Sequence, residues 1–345
     1  MSPTRKPDRS WAASGKRPRV SVVVLTRNRE KLLGDCLGTL LAQDYPGSRT
    51  EIIVVDDGST DGTAQTVQAL AREHSRLRYI PQAHRGIPAA RNAGIRASRG
   101  ELVAIVADDY LLSPDYLRTA VLFFEKNPKA QILRFKVVPR SSGLSDLINR
   151  FAYEVEFLQR LHPDEAWAPR PLDWRFYAHV PRLSDDGPTA APFLEAAGGA
   201  VFRRGLFARV GFFDENLLRS EDTDFSVRLR RHGITAYYDS SQGIRHATGF
   251  WARETIPKRF LAGYYLQKNR RKNRLASFSG RPESPRGVRT VEGLLSIFRM
   301  ARAAYPGLQA LSLMPFMTVF LAAQKLGSAL ARLEGHLSTA TGRDA

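Results

Sequence analysis

Cysteine is almost missing. Cys36 is the only one in 345 residues, so the chain can close no intramolecular disulfide and build no cysteine-ligated zinc site. Leu32, Leu33, Leu37, Leu40 and Leu41 recur around it at helical spacing, which reads as a small core residue on an amphipathic helix. Acidic residues are also in short supply, 34 against 52 lysines and arginines, and the net charge of +18 draws the chain towards polyanions. Nucleic acid, an anionic lipid surface and a phosphorylated substrate all fit that charge. Zinc-finger spacing, an RNA-binding aromatic signature and a recognition-helix pattern are absent, so nucleic acid is not an expected partner. Residues 1–18 hold almost no apolar side chains and no h-region; they read as a flexible basic arm, not a secretory signal. Glycine is missing after the first apolar run, Leu25-Thr26-Arg27-Asn28-Arg29, where a sugar nucleotidyltransferase needs a Gly-rich loop for triphosphate. G-x-G-x-x-G does not occur, which argues against a dinucleotide-dependent oxidoreductase. Internal repeats are not seen.

What is present is a globular chain, 43 % hydrophobic, long enough for one large domain or two smaller ones. Val20-Ser21-Val22-Val23-Val24-Leu25 is β-branched and reads as a buried strand. A helix is expected over 30–43, strands over 51–55 and 77–80, and a helix from a cap at Asp61 to about 74. A helix over 88–98, a strand over 101–106 and a helix opened by Pro114 complete the first half. Strands alternating with helices predict an α/β fold with a mostly parallel, doubly wound sheet flanked by helices. Residues 139–192 have weak periodicity and gather Trp167, Trp174, Phe176 and Tyr177, an excursion expected to be functional. Order returns at Gly198-Gly199-Ala200-Val201-Phe202, followed by a helix over 221–232 and a strand over 234–238.

In such a sheet ligands bind beyond the carboxyl ends of the strands. Those ends here carry Thr26-Arg27-Asn28, Asp56-Asp57 and Asp108-Asp109. Adjacent carboxylates repel, and a divalent cation bound with diphosphate oxygens would compensate them; an exposed acidic turn is the plainer reading. Asp57 has two readings as well, a strand-to-helix loop or an acceptor for a base N–H. Arg91 is either a surface arginine or a fork for phosphate. Glu221 and Asp222 either complement a helix dipole or supply a general base. His246 counts only if the fold brings it to Asp109.

The order and spacing of these segments are more specific than any one of them. Residues 20–28, then Val54-Val55-Asp56-Asp57-Gly58-Ser59-Thr60-Asp61, Ala89-Ala90-Arg91-Asn92-Ala93-Gly94, Ala107-Asp108-Asp109, Gly198-Gly199 and Glu221-Asp222-Thr223-Asp224-Phe225-Ser226-Val227-Arg228-Leu229 resemble family 2 glycosyltransferases of the GT-A fold. The resemblance covers residues 19–249. It implies an inverting glycosyltransferase that moves a sugar from a nucleoside-diphosphate sugar, a UDP-sugar first, to a hydroxyl of a glycan or lipid-linked acceptor. It implies that Asp57, Thr26 and Arg27 line the nucleotide pocket, that Arg91 lies near the diphosphate and that Asp108 serves ribose or metal. Asp109 and His246 would hold Mg2+ or Mn2+, Asp222 would be the base, and Gly198, Gly199 and Glu221 would face the donor or acceptor sugar. Ala107 departs from the pattern, standing where the metal motif has its first acid. That departure keeps a second reading open, a non-catalytic basic protein on a degenerate transferase scaffold that binds a membrane surface or another polyanion.

The expected organisation is a basic arm over 1–18, a catalytic domain over 19–250 and a basic, helical C-terminal region over 251–345. Within the catalytic domain, 19–130 bind the nucleotide sugar and 131–250 carry acceptor and base. Residues 253–289 are dominated by basic side chains, and no charge appears between Arg302 and Lys325. The pairing suggests an enzyme held at the cytoplasmic face of the cell membrane, peripherally or by a monotopic helix. Residues 308–326 are borderline for a span, and Gln309, Pro315 and Gln324 weaken one; an ordinary core-packing helix is the plainer alternative.

Overall fold

The computed structural model describes residues 18–139, 189–191, 197–246, 252–273 and 307–340. The first half supplies β1 (Val20–Thr26), β2 (Thr50–Asp56), β3 (Leu77–Pro81) and β4 (Leu102–Ala107). β1 runs parallel to β2 and β4, and β3 adds in parallel outside β2. Parallel neighbours need long crossovers. These are made by α1 (Glu30–Leu41), α2 (Thr63–Glu73) and α3 (Ile87–Ala97), close to the expected spans. Gly62 takes the cap position of α2, and Asp61 serves that helix from one residue earlier by accepting from Thr63 N at 3.1 Å.

Beyond β4 the sheet becomes mixed. The chain adds β5 (Tyr110–Leu111), α4 (Tyr116–Lys126), β6 (Ile132–Pro139), β7 (Thr189–Ala191), β8 (Ala200–Arg203), α5 (Leu206–Val210), α6 (Glu221–Arg231) and β9 (Ala236–His246). The strand order is β3-β2-β1-β4-β8-β6-β9-β5, with β7 also on β9. β8 is antiparallel to both β4 and β6, and β9 is parallel to β6. β9 is far longer than the 234–238 expected and extends to His246. Most of the excursion over 139–192, with its tryptophans, lies outside the described residues.

The alternation within β1 separates two cores. Val20, Val22 and Val24 pack with Ile52, Val54 and Val106 beneath α1, α2 and α4. Val23 packs with Ile53, Val55 and Ile105 on the opposite face, against α3, α5 and α6. Burial on both faces explains why β1 reads as a continuous apolar run. Cys36 is fully buried in the first core, as expected. Burial, then the charges of Asp108 and Asp109, raise its thiol well above the usual range, so it is inert. Gly94 is the point where α3 presses on β1: a Cβ there would stand 2.2 Å from Val23 Cγ1. No larger residue fits without moving helix from sheet.

The C-terminal region supplies α7 (Ala252–Lys272) and α8 (Gly307–Ala340). The two helices cross at glycine. A Cβ on Gly263 would lie 1.9 Å from the Gln324 carbonyl oxygen, and one on Gly327 2.0 Å from that of Phe260. Ser328 Oγ donates to Gly263 O across the same contact at 2.9 Å. Among the described residues, no helix is long and apolar enough to cross a membrane.

Candidate active site

The parallel register aligns three strand ends. Thr26 stands opposite Asp56, and Leu25 opposite Ala107, so Thr26, Asp57 and Asp108 share one edge of the sheet. All three are buried. The Asp57 carboxylate is crowded with donors. Oδ1 accepts from Gln82 Nε2 at 2.7 Å and Arg85 N at 2.9 Å. Oδ2 accepts from Gly86 N at 2.9 Å and lies 2.7 Å from His84 Nδ1. Burial pushes this carboxyl up, but the donors outweigh it and hold Asp57 below the ordinary range. A carboxylate has about four acceptor positions. A nucleobase N–H reaching Asp57 therefore has to displace one of these donors or share an oxygen with it. Arg27 lies beside the same cluster, its Nη1 3.0 Å from His84 Nε2.

The acidic pair ends β4. Arg29 Nη1 bridges it, 3.2 Å from Asp108 Oδ1 and 2.6 Å from Asp109 Oδ2. His246 arrives from 137 positions along the chain because β5 pairs antiparallel with β9, placing Tyr110 opposite His246. Its Nε2 lies 3.3 Å from Asp109 Oδ2, and its ring packs edge-on to Tyr110 with centroids 5.5 Å apart. Burial alone would raise both acids. In Asp109 the His246 hydrogen bond and charge, then Arg29, overcome it and hold the group at about 2. In Asp108 burial wins over Arg29, helped by the charge of Asp109, and the group rises to about 6.

Among the described residues, no three carboxylates, histidines or cysteines form a closed metal cage. The donors nevertheless fit a divalent ion that is completed by its substrate. One guanidinium nitrogen already pairs with both carboxylates, so the two acids can share one positive charge. Carboxylate oxygens and an imidazole suit Mn2+ or Mg2+, with the remaining positions left to diphosphate and water.

The third cluster opens α6. Ser220 precedes it in the left-handed region, φ 65°, and the first turn carries Glu221, Asp222 and Asp224. Arg91 Nη1 donates to Glu221 Oε1 at 3.1 Å and to Asp222 Oδ1 at 2.8 Å. Its guanidinium carbon lies 4.5 Å from the centre of the Phe213 ring, and its Nε has no hydrogen-bond partner among the described residues. The side chain of Asp222 is 17 % exposed against 7 % for Glu221, so Asp222 is the more accessible acid. Burial, then the charge of Asp222, raise Glu221 to about 7 against the opposing pull of Arg91. Gly198 and Gly199 sit where β8 joins the sheet. The Gly199 N–H donates to Ile105 O at 2.8 Å and its carbonyl accepts from Phe135 N at 3.2 Å, so its backbone is spent on the sheet.

Thr26, Arg27, Asp57, Arg91, Asp108, Asp109, Glu221, Asp222 and His246 therefore fall in these clusters, with Gly198 and Gly199 beside the sheet, while Trp167, Trp174, Phe176 and Tyr177 lie outside the described residues. Several partners escaped that reading. Arg29 stood in plain view next to Thr26 and Arg27, but an arginine in a loop carries no sign of its target. Gln82, His84 and Phe213 lie in short segments without periodicity.

The sequence profile of the family described as Glycosyl transferase family 2 matches residues 21–169. That of Glycosyl transferase family group 2 matches residues 102–330, two thirds of the chain. An uncharacterized glycosyltransferase, EpsJ of Bacillus subtilis (strain 168), is 28 % identical over 218 residues, 62 % of this chain and 56 % of that one. The validoxylamine A glucosyltransferase of Streptomyces hygroscopicus subsp. limoneus is 30 % identical over 227 residues, 63 % of this chain and 49 % of that one. The chain thus spans about half the length of these curated relatives. Among solved structures, a mannosyltransferase of Pyrobaculum calidifontis, PcManGT in complex with GDP-Man and Mn2+, superposes with a TM-score of 0.59. It is 21 % identical and covers 94 % of this chain and 92 % of its own, a likeness of fold.

Proposed function

The chain belongs to the family 2 glycosyltransferases, and from that premise we propose that it transfers a sugar from a nucleoside-diphosphate sugar to a hydroxyl acceptor. The observation that carries the proposal is the meeting of Asp109 and His246 at 3.3 Å. The β5–β9 pairing sets this histidine beside the acid, although 137 residues of chain separate them. A carboxylate and an imidazole side by side form a donor pair that suits a divalent ion shared with a diphosphate.

In this reading the nucleotide lies over the shared edge of β1, β2 and β4. Thr26, Arg27 and Asp57 flank the base, and Asp108 the ribose. Asp109 and His246 would hold the divalent ion, with Asp108 as a second carboxylate; bound there, the ion would neutralise charge building on the departing diphosphate. The Mn2+ reported with PcManGT supports this choice of cofactor. Asp222 takes the acceptor's hydroxyl proton while the hydroxyl oxygen attacks the anomeric carbon. The bond from that carbon to the diphosphate breaks on the opposite side, and the diphosphate leaves with the electron pair. One displacement inverts the anomeric centre. Arg91 orients Asp222 in this structure; its place near the diphosphate stays part of the proposal. Gly198, Gly199 and Glu221 would border the sugars.

The acceptor is proposed to be a glycan or lipid-linked saccharide met at the cytoplasmic face of a membrane. The support is the net charge of +18 together with exposed apolar side chains on α8, Leu326 and Leu333 foremost. The direct test incubates the full chain with Mn2+ and a panel of nucleotide sugars, UDP-sugars first and GDP-mannose next, and measures nucleoside diphosphate release. Turnover of one donor is expected. If none is bound or consumed, the scaffold is non-catalytic, and Ala107 marks its decay.

A further inference from the structure

The turn before Glu221 and Asp222 is held from the C-terminal helices, outside the segments that carry the site residues. Ser220 is a non-glycine residue in the left-handed region, a conformation that persists only when its surroundings fix it. Its side chain makes no capping bond to α6. Its carbonyl oxygen is held twice: by Asp224 N at 3.1 Å, within the helix, and by Asn269 Nδ2 at 3.0 Å, from the last turn of α7. Asn269 is fully buried and Asn273 nearly so. Two buried amides are costly unless their bonds are made, and these are made to the start of α6.

Asn273 Nδ2 donates to Asp224 Oδ1 at 3.0 Å and to the side-chain oxygen of Asn269. Lys272 Nζ donates to Asp224 Oδ1 at 2.6 Å and to Asp214 Oδ2 at 2.8 Å. Arg228 Nε occupies the other oxygen of Asp224 at 2.9 Å. Arg231 closes the ring by donating to Asn273 O at 2.8 Å. The residues on either side of Glu221 and Asp222 are therefore tied to α7: Ser220 by its backbone carbonyl through Asn269, and Asp224 by its side-chain carboxylate through Lys272 and Asn273. Arg91 fixes the two acids from the other side.

We propose that Asn269 is a positioning residue for the base, holding the Ser220 carbonyl so that α6 presents Asp222 at one fixed angle, with Lys272 and Asn273 completing the clamp. This rests on the reading of Asp222 as the base. The C-terminal helices then act in chemistry as well as in any docking, because α7 reaches the turn that carries the catalytic base.

The test is kinetic and uses the full chain with its identified donor. Asn269→Ala is expected to lower kcat by about 10- to 100-fold, the scale of an ångström-sized misplacement, while the donor KM stays within about twofold. In an Asp222→Asn background the same change is expected to cost nothing further, since it acts through the missing base. Lys272→Met, at a half-exposed position, is the second variant should Asn269→Ala fail to fold; it is expected to show the same split with a smaller loss. Full kcat in a folded Asn269→Ala or Lys272→Met enzyme overturns the clamp, as does a loss that multiplies with Asp222→Asn. Unchanged turnover in Asp222→Asn alone overturns the base assignment instead, so the two failures are told apart.

Discussion

Arg91 Nη1 lies 2.8 Å from Asp222 Oδ1, joining residues 131 positions apart through one buried guanidinium. The same nitrogen reaches Glu221, so a single cation holds two adjacent acids. Asp57 is bonded to Gly86 N at the entrance of α3, and Arg91 lies five residues further along that helix. The loop bonded to Asp57 thus leads into the helix whose Arg91 holds Glu221 and Asp222.

Asp222→Asn is expected to cut turnover by about 10²- to 10⁴-fold, the usual worth of general base catalysis. The amide is isosteric, so the donor dissociation constant stays close to the wild-type value. Steady-state kinetics and calorimetry on the same preparation check both halves. Near-normal turnover removes Asp222 from the mechanism.

Glu221 gives a pH dependence with a defined sign. Burial first, then the charge of Asp222, raise its carboxyl to about 7 in the folded chain. An unfolded glutamate titrates near 4.3. Between these values the native state holds a proton the unfolded chain has lost, so this group's contribution to stability falls as pH rises from about 4.3 to about 7, then levels. Glu221→Gln removes the titration. Urea midpoints at pH 5 and pH 8 are expected to differ less in the variant than in the wild type. Parallel shifts in the two proteins contradict the assignment.

How far the sequence reaches can be read from particular residues. β1 was legible because Val22, Val23 and Val24 are buried on both faces, and α1 because Leu33, Cys36, Leu37 and Leu40 share one stripe. The acid clusters were legible because strand ends in a parallel sheet are fixed by local pattern. The His246–Asp109 meeting was only a condition, since it depends on β9 pairing with β5, a two-residue strand. The clamp was invisible. Asn269 and Lys272 stand in the basic run over 253–289 that reads as a membrane-facing region, and only packing shows that Asn269 is fully buried.

Removing the metal is expected to stop turnover and weaken nucleoside diphosphate binding by at least about tenfold, or about 1.4 kcal/mol. Arg29 Nη1 already lies 2.6 Å from Asp109 Oδ2, so an entering ion competes with this guanidinium. Arg29→Gln is therefore expected to tighten Mn2+ binding in the absence of nucleotide. Calorimetry with Mn2+ alone, and with UDP in Mn2+ or in EDTA, measures both. Equal UDP affinity with and without metal ends the role of Asp109 as a ligand.

The last prediction concerns where the enzyme works. On α8, Val319, Leu326, Leu330 and Leu333 are 46 %, 64 %, 41 % and 61 % exposed, and their spacing of seven, four and three places them on one helix face. Lys325 and Arg332 lie on the same helix, and Lys268 and Arg271 on its partner α7. An apolar stripe edged by bases suits a helix lying in the headgroup region of an anionic bilayer. Each base near such a surface contributes about 1 kcal/mol. The full chain is expected to float with phosphatidylserine-containing vesicles at low salt and to lose most of that binding at high salt. Leu326→Glu with Leu333→Glu is expected to stay at the bottom of the gradient while still consuming donor, because both side chains are exposed on α8 and the substitutions leave the core intact. If the wild-type chain fails to float at low salt, the stripe does not bind lipid and the acceptor must be sought in solution.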